Sequence, residues 1–268
     1  MFNFFRKKAL NSLEYSHETN SVEVNRSAKK QLYIYIEKQS GIILDENKPL
    51  IEQKIVDYCK NNNIASFSKL LEHIQESTFN FEEFITLITI NETYFFREHT
   101  QIQEALENYK NTHKKLHILS LPSSTGEEVY SIVITALEMN ISNFTVVGVD
   151  IDKNVIQKAK EGIYKERSLH RVKQDIIEKY FTKKNNSFYV KEDVKKFVEF
   201  HIANIFETNL TKLGKFDIIF SRNMFIYFNN EKKLQAYKQL QKLKKENTTN
   251  IYLGHADVSS QLEHYIRS

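Results

Sequence analysis

Apolar positions recur at two different periods along the chain, and the change falls near residue 90. From Ser27 to about Ile90 the spacing is helical. Leu32, Tyr35 and Ile36 form one stripe, which Gly41 is placed to end as a C-cap. Ile51, Ile55 and Tyr58 form a second, with Cys59 on the same side. Phe67, Leu70, Leu71 and Ile74 form a third behind an N-cap at Ser66, and Phe81, Phe84, Ile85 and Ile88 a fourth. Four short helices and no strand candidate predict a small helical domain over 27–90, preceded by a polar tail or short helix over 1–26.

Beyond Asn91 the pattern alternates. A helix carrying Ile102, Ala105, Leu106 and Tyr109 leads to a strand at Leu116–Ser120, then a helix at about 126–139 and a strand at 144–149. A helix at about 153–160, a looser segment, and strands at 197–202 and 216–220 follow. A helix at about 231–243 and a strand at Asn250–Leu253 complete the series. Strands alternating with helices predict βαβ units and a mostly parallel sheet, so the expected class is α/β.

Composition narrows the partners. A net charge of +4 with lysines dispersed along the chain favours acidic partners but lacks the dense basic stripe of a nucleic-acid binder. One cysteine, Cys59, excludes an internal disulfide, and no Cys/His cluster has zinc spacing. The opening MFNFFRKKAL has its basic residues after a short apolar stretch, unlike a signal peptide, and no run approaches the roughly 18 apolar residues of a membrane span. A cytoplasmic location is expected.

Ligands of parallel sheets bind at the carboxyl ends of the strands, and three polar segments fall there. Ser120-Leu-Pro-Ser-Ser-Thr-Gly-Glu-Glu128 follows the first strand; its small residues let backbone approach a ligand, and the helix N-terminus beyond it offers free N–H groups to an anion. Glu127 and Glu128 can equally complement the helix macrodipole. Val149-Asp-Ile-Asp152 ends the second strand, where an acid can accept ribose hydroxyls; Asp150 suits that role and Asp152 suits an N-cap. Arg222 and Asn223 interrupt the apolar run 220–228 and need either a polar ligand or an internal ion pair. A fourth segment, Asn91-Glu-Thr-Tyr-Phe-Phe-Arg-Glu98, mixes polar and aromatic groups at the expected domain boundary, as a hinge helix would too.

In order and spacing, Asn91-x-Thr-x-Phe-Phe-Arg-Glu, Ser124-Thr-Gly-Glu-Glu-x-Tyr-Ser131, Asp150-Ile-Asp152, Arg222-Asn-x-x-Ile-Tyr-Phe228 and Gly254-His255 closely resemble the CheR family of chemotaxis receptor methyltransferases. The resemblance spans about residues 25–260. It implies a Rossmann-like S-adenosylmethionine methyltransferase domain over 91–268, a small all-helical N-terminal domain, and a small inserted β-subdomain at about 165–200. It also implies methyl transfer from S-adenosylmethionine to glutamate carboxylates of chemoreceptors. By the same resemblance Asn91, Thr93, Arg97, Glu128, Asp150, Asn204, Ile205, Arg222 and Asn223 bind the cofactor, with Asp150 on the ribose and Asn204 and Ile205 beside the adenine. Arg97 and Tyr227 are the expected catalytic residues, and no metal is expected.

The chain departs from the family pattern at Leu121-Pro122, at Val129 where proline is common, and at Asp257 where glutamate is usual. The turn Lys183-Lys-Asn-Asn-Ser187 has no Gly-x-Gly, so tethering to a receptor C-terminal peptide is not expected. The expected partners are the acidic methylation helices of receptors, met by a monomer, with Lys29, Lys30, Lys38 and Lys54 either as contacts or as an ordinary solvated helix face. A binding-only sensor or scaffold keeping the cofactor pocket is the alternative; a nicotinamide dehydrogenase is weakened by the missing GxGxxG, and a nucleic-acid methyltransferase by the missing Asn/Asp-Pro-Pro-Tyr/Phe.

Overall fold

The computed structural model describes residues 22–44, 49–88, 93–110, 113–246 and 249–267. Four helices come first: α1 (Arg26–Ser40), α2 (Pro49–Asn61), α3 (Phe67–Glu76) and α4 (Thr78–Ile88). Their limits follow local chemistry. The Asn25 side chain accepts the Ser27 N–H at 2.8 Å, and Gly41, at φ 74°, turns its N–H back to the Glu37 carbonyl. Ser66 caps α3 by accepting the Lys69 N–H. The apolar stripes meet in one core containing Leu32, Ile36, Ile55, Cys59, Phe67, Leu70 and Phe84, all fully buried. Each such side chain contributes roughly 1.5–3 kcal/mol by leaving water. Burial pushes the Cys59 thiol up to about 11, which leaves little reactive thiolate near neutral pH.

The first 21 residues lie outside the described segments, but Glu23 is held against the helical bundle: its N–H donates to the Ala65 carbonyl, and its carbonyl accepts the Phe67 N–H. Two of the candidate receptor-contact lysines are engaged within the fold. Lys29 pairs with Glu52, and Lys54 donates to the Leu87 carbonyl.

The remainder is built on α5 (His99–Glu107), β1 (Leu116–Ser120), α6 (Glu127–Glu138), β2 (Phe144–Asp150) and α7 (Lys153–Glu161), followed by β3 (Ile163–Tyr164), α8 (Gln174–Tyr180), β4 (Phe181–Lys184), β5 (Ser187–Val190) and α9 (Glu192–Lys195). Then come β6 (Val198–Ile202), β7 (Ile218–Ser221), α10 (Asn230–Lys242), β8 (Asn250–Leu253) and α11 (Ser260–Arg267). Five strands form a parallel sheet in the order β6-β2-β1-β7-β8. The chain runs outward from β1 to β6, then returns to the other side of β1 with β7. That reversal opens a crevice at the carboxyl ends of the strands. The near-continuous apolar strands match burial on both faces: Ile118, Val146, Ile218 and Phe220 pack in the core against α6.

The segment that reads as loose in sequence holds a second, antiparallel sheet in the order β3-β5-β4. Its strands have two to four residues, too few to show an alternating period. Asn185 makes the β4–β5 turn at φ 53°, a left-handed conformation that asparagine tolerates without glycine.

Candidate active site

A cavity of about 380 Å³ lies at the carboxyl ends of the parallel strands. Its floor comes from the ends of β1, β2, β6 and β7. Its roof comes from the helical bundle, through Ser40 at the end of α1, Ile42 beyond it, and Phe81, Ile85 and Thr86 on α4.

Asp150 ends β2 inside this cavity and is 8% exposed. Its carboxylate accepts the Ser124 N–H at 2.8 Å on Oδ2 and the Asp152 N–H at 3.0 Å on Oδ1. Burial raises its pKa, and these N–H groups pull the other way. Asp152 caps α7 by accepting the Asn154 N–H at 2.7 Å, as its position suggests. After β6, the Asn204 side chain accepts the Phe206 N–H at 3.0 Å, forming a tight turn that brings Ala203, Asn204, Ile205 and Phe206 onto the cavity wall.

The segment after β7 supplies Asn223, Met224, Tyr227 and Phe228 to the lining. Asn223 sits at φ 62°, and Asp257 holds that bend from behind. The fully buried Asp257 accepts N–H groups from Asn223 at 2.5 Å, Gly254 at 2.8 Å and Ile226 at 3.0 Å. Gly254 leaves the space this needs, since a Cβ there would stand 2.7 Å from Asp257 Oδ2. From the opposite side the bundle grips the same segment: the Ile43 N–H donates to the Tyr227 carbonyl, and the Asn229 N–H donates to the Gly41 carbonyl at 2.7 Å. Asp257→Ala leaves three backbone donors, the Gly254 N–H among them buried, without their acceptor and is expected to lower unfolding free energy by about 2 kcal/mol. Urea unfolding with a midpoint unchanged from the parent protein would refute that.

Arg222 turns away from the cavity. Its side chain is 1% exposed and its Nε meets Glu128 Oε2 at 2.7 Å. The guanidinium also donates to the Glu98 carbonyl at 3.1 Å and the Arg97 carbonyl at 3.0 Å, while Ser120 Oγ donates to Glu128 Oε1 at 2.9 Å. The internal ion pair, one of the two readings open in the sequence, is therefore formed. It ties β7 to α6 and to the turn before α5.

Of the sequence-predicted residues, the cavity gathers Asp150, Asn204, Ile205, Asn223 and Tyr227. Thr93, Arg97, Glu128 and Arg222 lie outside its lining, and Asn91 lies outside the described residues. Sequence reasoning missed the roof residues, Phe206, Lys232 and the buried role of Asp257. Only Asp257 carried a signal, as the residue that differs from the usual glutamate.

The lining chemistry suits S-adenosylmethionine. Asp150, Asp152 and Glu82 face the cavity with one cation, Lys232, among the described residues, so the field favours a positively charged ligand with hydroxyls to donate. The buried hydroxyls of Ser123, Ser124 and Ser221, in the same strand-end segments, have no partner among the described residues.

Comparison with known proteins agrees with this geometry. The family described as "CheR methyltransferase, SAM binding domain" matches residues 91–268. A chemotaxis protein methyltransferase of Campylobacter jejuni is 35% identical over 224 residues, covering 83% of this chain and 85% of that protein. A protein of the same description from Salmonella typhimurium is 29% identical, covering 85% of this chain and 82% of its own length. Chemotaxis protein methyltransferase 2 of Vibrio cholerae is 28% identical, with 85% and 84% covered.

Proposed function

The chain belongs to the CheR methyltransferase family, a family of S-adenosylmethionine-dependent enzymes, and from that membership we propose that it methylates glutamate side-chain carboxylates of bacterial chemoreceptors, giving glutamate methyl esters in sensory adaptation. The observation that carries this reading is the acid-lined cavity at the strand ends, walled by Asp150, Asn204 and Asn223 and reached by Tyr227.

When bound, S-adenosylmethionine supplies an electrophilic methyl group on a sulfonium. Asp150 accepts hydrogen bonds from the ribose, Asn204 and Ile205 border the adenine, and Asn223 contributes polar contacts from the opposite wall. Glu128 and Arg222 act from behind as a bracing pair, on which the Arg97 carbonyl also bears; the roles of Thr93 and of the Arg97 side chain rest on the family resemblance. The role of Asn91 rests on the family resemblance. The receptor carboxylate has a reference pKa near 4.3 and is ionised at neutral pH, so no general base is needed. The protein's work is alignment and exclusion of water. Ile42, Phe81, Ile85 and Phe228 make the apolar part of that enclosure.

Tyr227, whose carbonyl accepts the Ile43 N–H, would stand beside the transferred methyl. Tyr227→Phe should lower kcat by about tenfold while cofactor affinity stays within twofold, the loss of one hydrogen bond in the transition state. Steady-state kinetics with unchanged kcat would remove Tyr227 from the mechanism.

No helix among the described residues is long and apolar enough to cross a membrane. The proposal places the enzyme in the cytoplasm as a monomer acting on receptor methylation helices without C-terminal tethering. It keeps the division into a helical domain at 27–90 and a methyltransferase domain at 91–268 with its inserted β-subdomain at about 165–200. The deciding experiment is transfer of labelled methyl to a cytoplasmic receptor fragment, with a fragment whose methylated glutamates are glutamines as control. Base-labile label on the first alone supports the reading; no label on any receptor of a panel, with cofactor bound, overturns it.

A further inference from the structure

The cavity is built for positive charge, yet the proposed reaction brings a carboxylate into it. Asp150, Asp152 and Glu82 stand on its wall, against one cation among the described residues, Lys232. Bringing a carboxylate into a cavity that already holds the buried Asp150 and the more exposed Asp152 and Glu82 is unfavourable without a cation, because desolvation and repulsion add.

Lys232 occupies a costly place. It lies in the first turn of α10, whose N-cap is Asn229 and whose exposed N–H groups already give that end a positive potential. A cation there opposes the macrodipole, and no carboxylate of the described residues pairs with it. Its stem crosses Gly41: a Cβ on that glycine would stand 2.0 Å from Lys232 Cγ. The ammonium reaches over the Phe206 ring, 4.7 Å from its centroid, and remains on the cavity wall. Packing of the stem against Gly41 would be served equally by an uncharged side chain of the same length, while the ammonium meets the face of the Phe206 ring. The charge is what that packing leaves without a carboxylate partner.

We propose that Lys232 is a specificity-determining residue that receives the carboxylate of the substrate glutamate and holds it at the cavity. The inference rests on the proposed reaction. The amino-acid carboxylate of S-adenosylmethionine is the other anion that could meet this ammonium, and the two sources separate experimentally.

Lys232→Met preserves the stem and removes the charge; Lys232→Arg preserves the charge. The readouts are initial rates of methyl transfer to a receptor fragment against fragment concentration and salt, and calorimetric titration of S-adenosylmethionine. For Lys232→Met the expected result is a KM for the receptor fragment raised about tenfold at low ionic strength, with a weaker salt dependence. Cofactor affinity should stay within twofold, and Lys232→Arg should recover most of the KM. An unchanged KM in Lys232→Met overturns the inference, as does a loss of cofactor affinity that accounts for the rise. If the parent protein transfers no methyl to any receptor fragment, the proposed reaction itself fails; parent activity with an unaffected Lys232→Met removes only Lys232.

Discussion

Asp150→Ala is expected to raise the dissociation constant for S-adenosylmethionine by about 100-fold, close to 2.7 kcal/mol at room temperature. Two effects add. The variant loses a charged acceptor for ligand hydroxyls, and hydrogen bonds to charged groups are worth about 1.5–3 kcal/mol. It also frees the Ser124 and Asp152 N–H groups, so the loops after β1 and β2 lose the atom that holds them together. Calorimetric titration measures the effect, with a urea melt to confirm that the protein is folded. An affinity within threefold of the parent would take Asp150 out of the binding site. Asp150→Asn removes the charge and keeps one of the two acceptor oxygens, so one of the Ser124 and Asp152 N–H groups also loses its partner, and its effect should approach that of Asp150→Ala.

The second large effect is on stability. Arg222→Met should lower the unfolding free energy by about 3 kcal/mol, since it leaves Glu128, 15% exposed, without its cation and strips the Glu98 and Arg97 carbonyls of a donor. Adding Glu128→Gln should recover part of that loss, because the uncompensated charge disappears while the side chain keeps its shape. Denaturant unfolding at neutral pH checks both variants. A single-variant loss under about 1 kcal/mol would mean that the pair is open to water, contrary to the 1% exposure of the Arg222 side chain. Cofactor titration of the double variant then tests whether the pair acts only from behind the cavity wall.

The helical bundle is more than a neighbour of the site. Its α1–α2 connection is hydrogen-bonded to the segment carrying Tyr227, and its α4 closes the cavity. Binding and stability of the two parts are therefore coupled, and substitutions in the roof should register in cofactor affinity.

Much of this architecture is local information, which is why it can be read from the chain. Caps at Gly41, Ser66 and Asp152 depend on a few adjacent residues, as do the apolar periods of α1 to α4 and of the long strands. Asp150 was legible because a strand end followed by a helix places an acid there whatever surrounds it. The resemblance to a known family brought Asn204, Ile205, Asn223 and Tyr227 into view through their order and spacing. Tertiary structure alone decided the rest. Strands of two to four residues, in β3, β4 and β5, show no period, so their pairing comes only from folding. Arg222 meets Glu128, 94 positions away, because packing brought the two together. The same applies to Asp257 beneath the Asn223 bend, to the roof from α1 and α4, and to Lys232 on the cavity wall. Each depends on which distant backbone or side chain arrives beside it, and in this chain the sheet order and the docking of the bundle settle that.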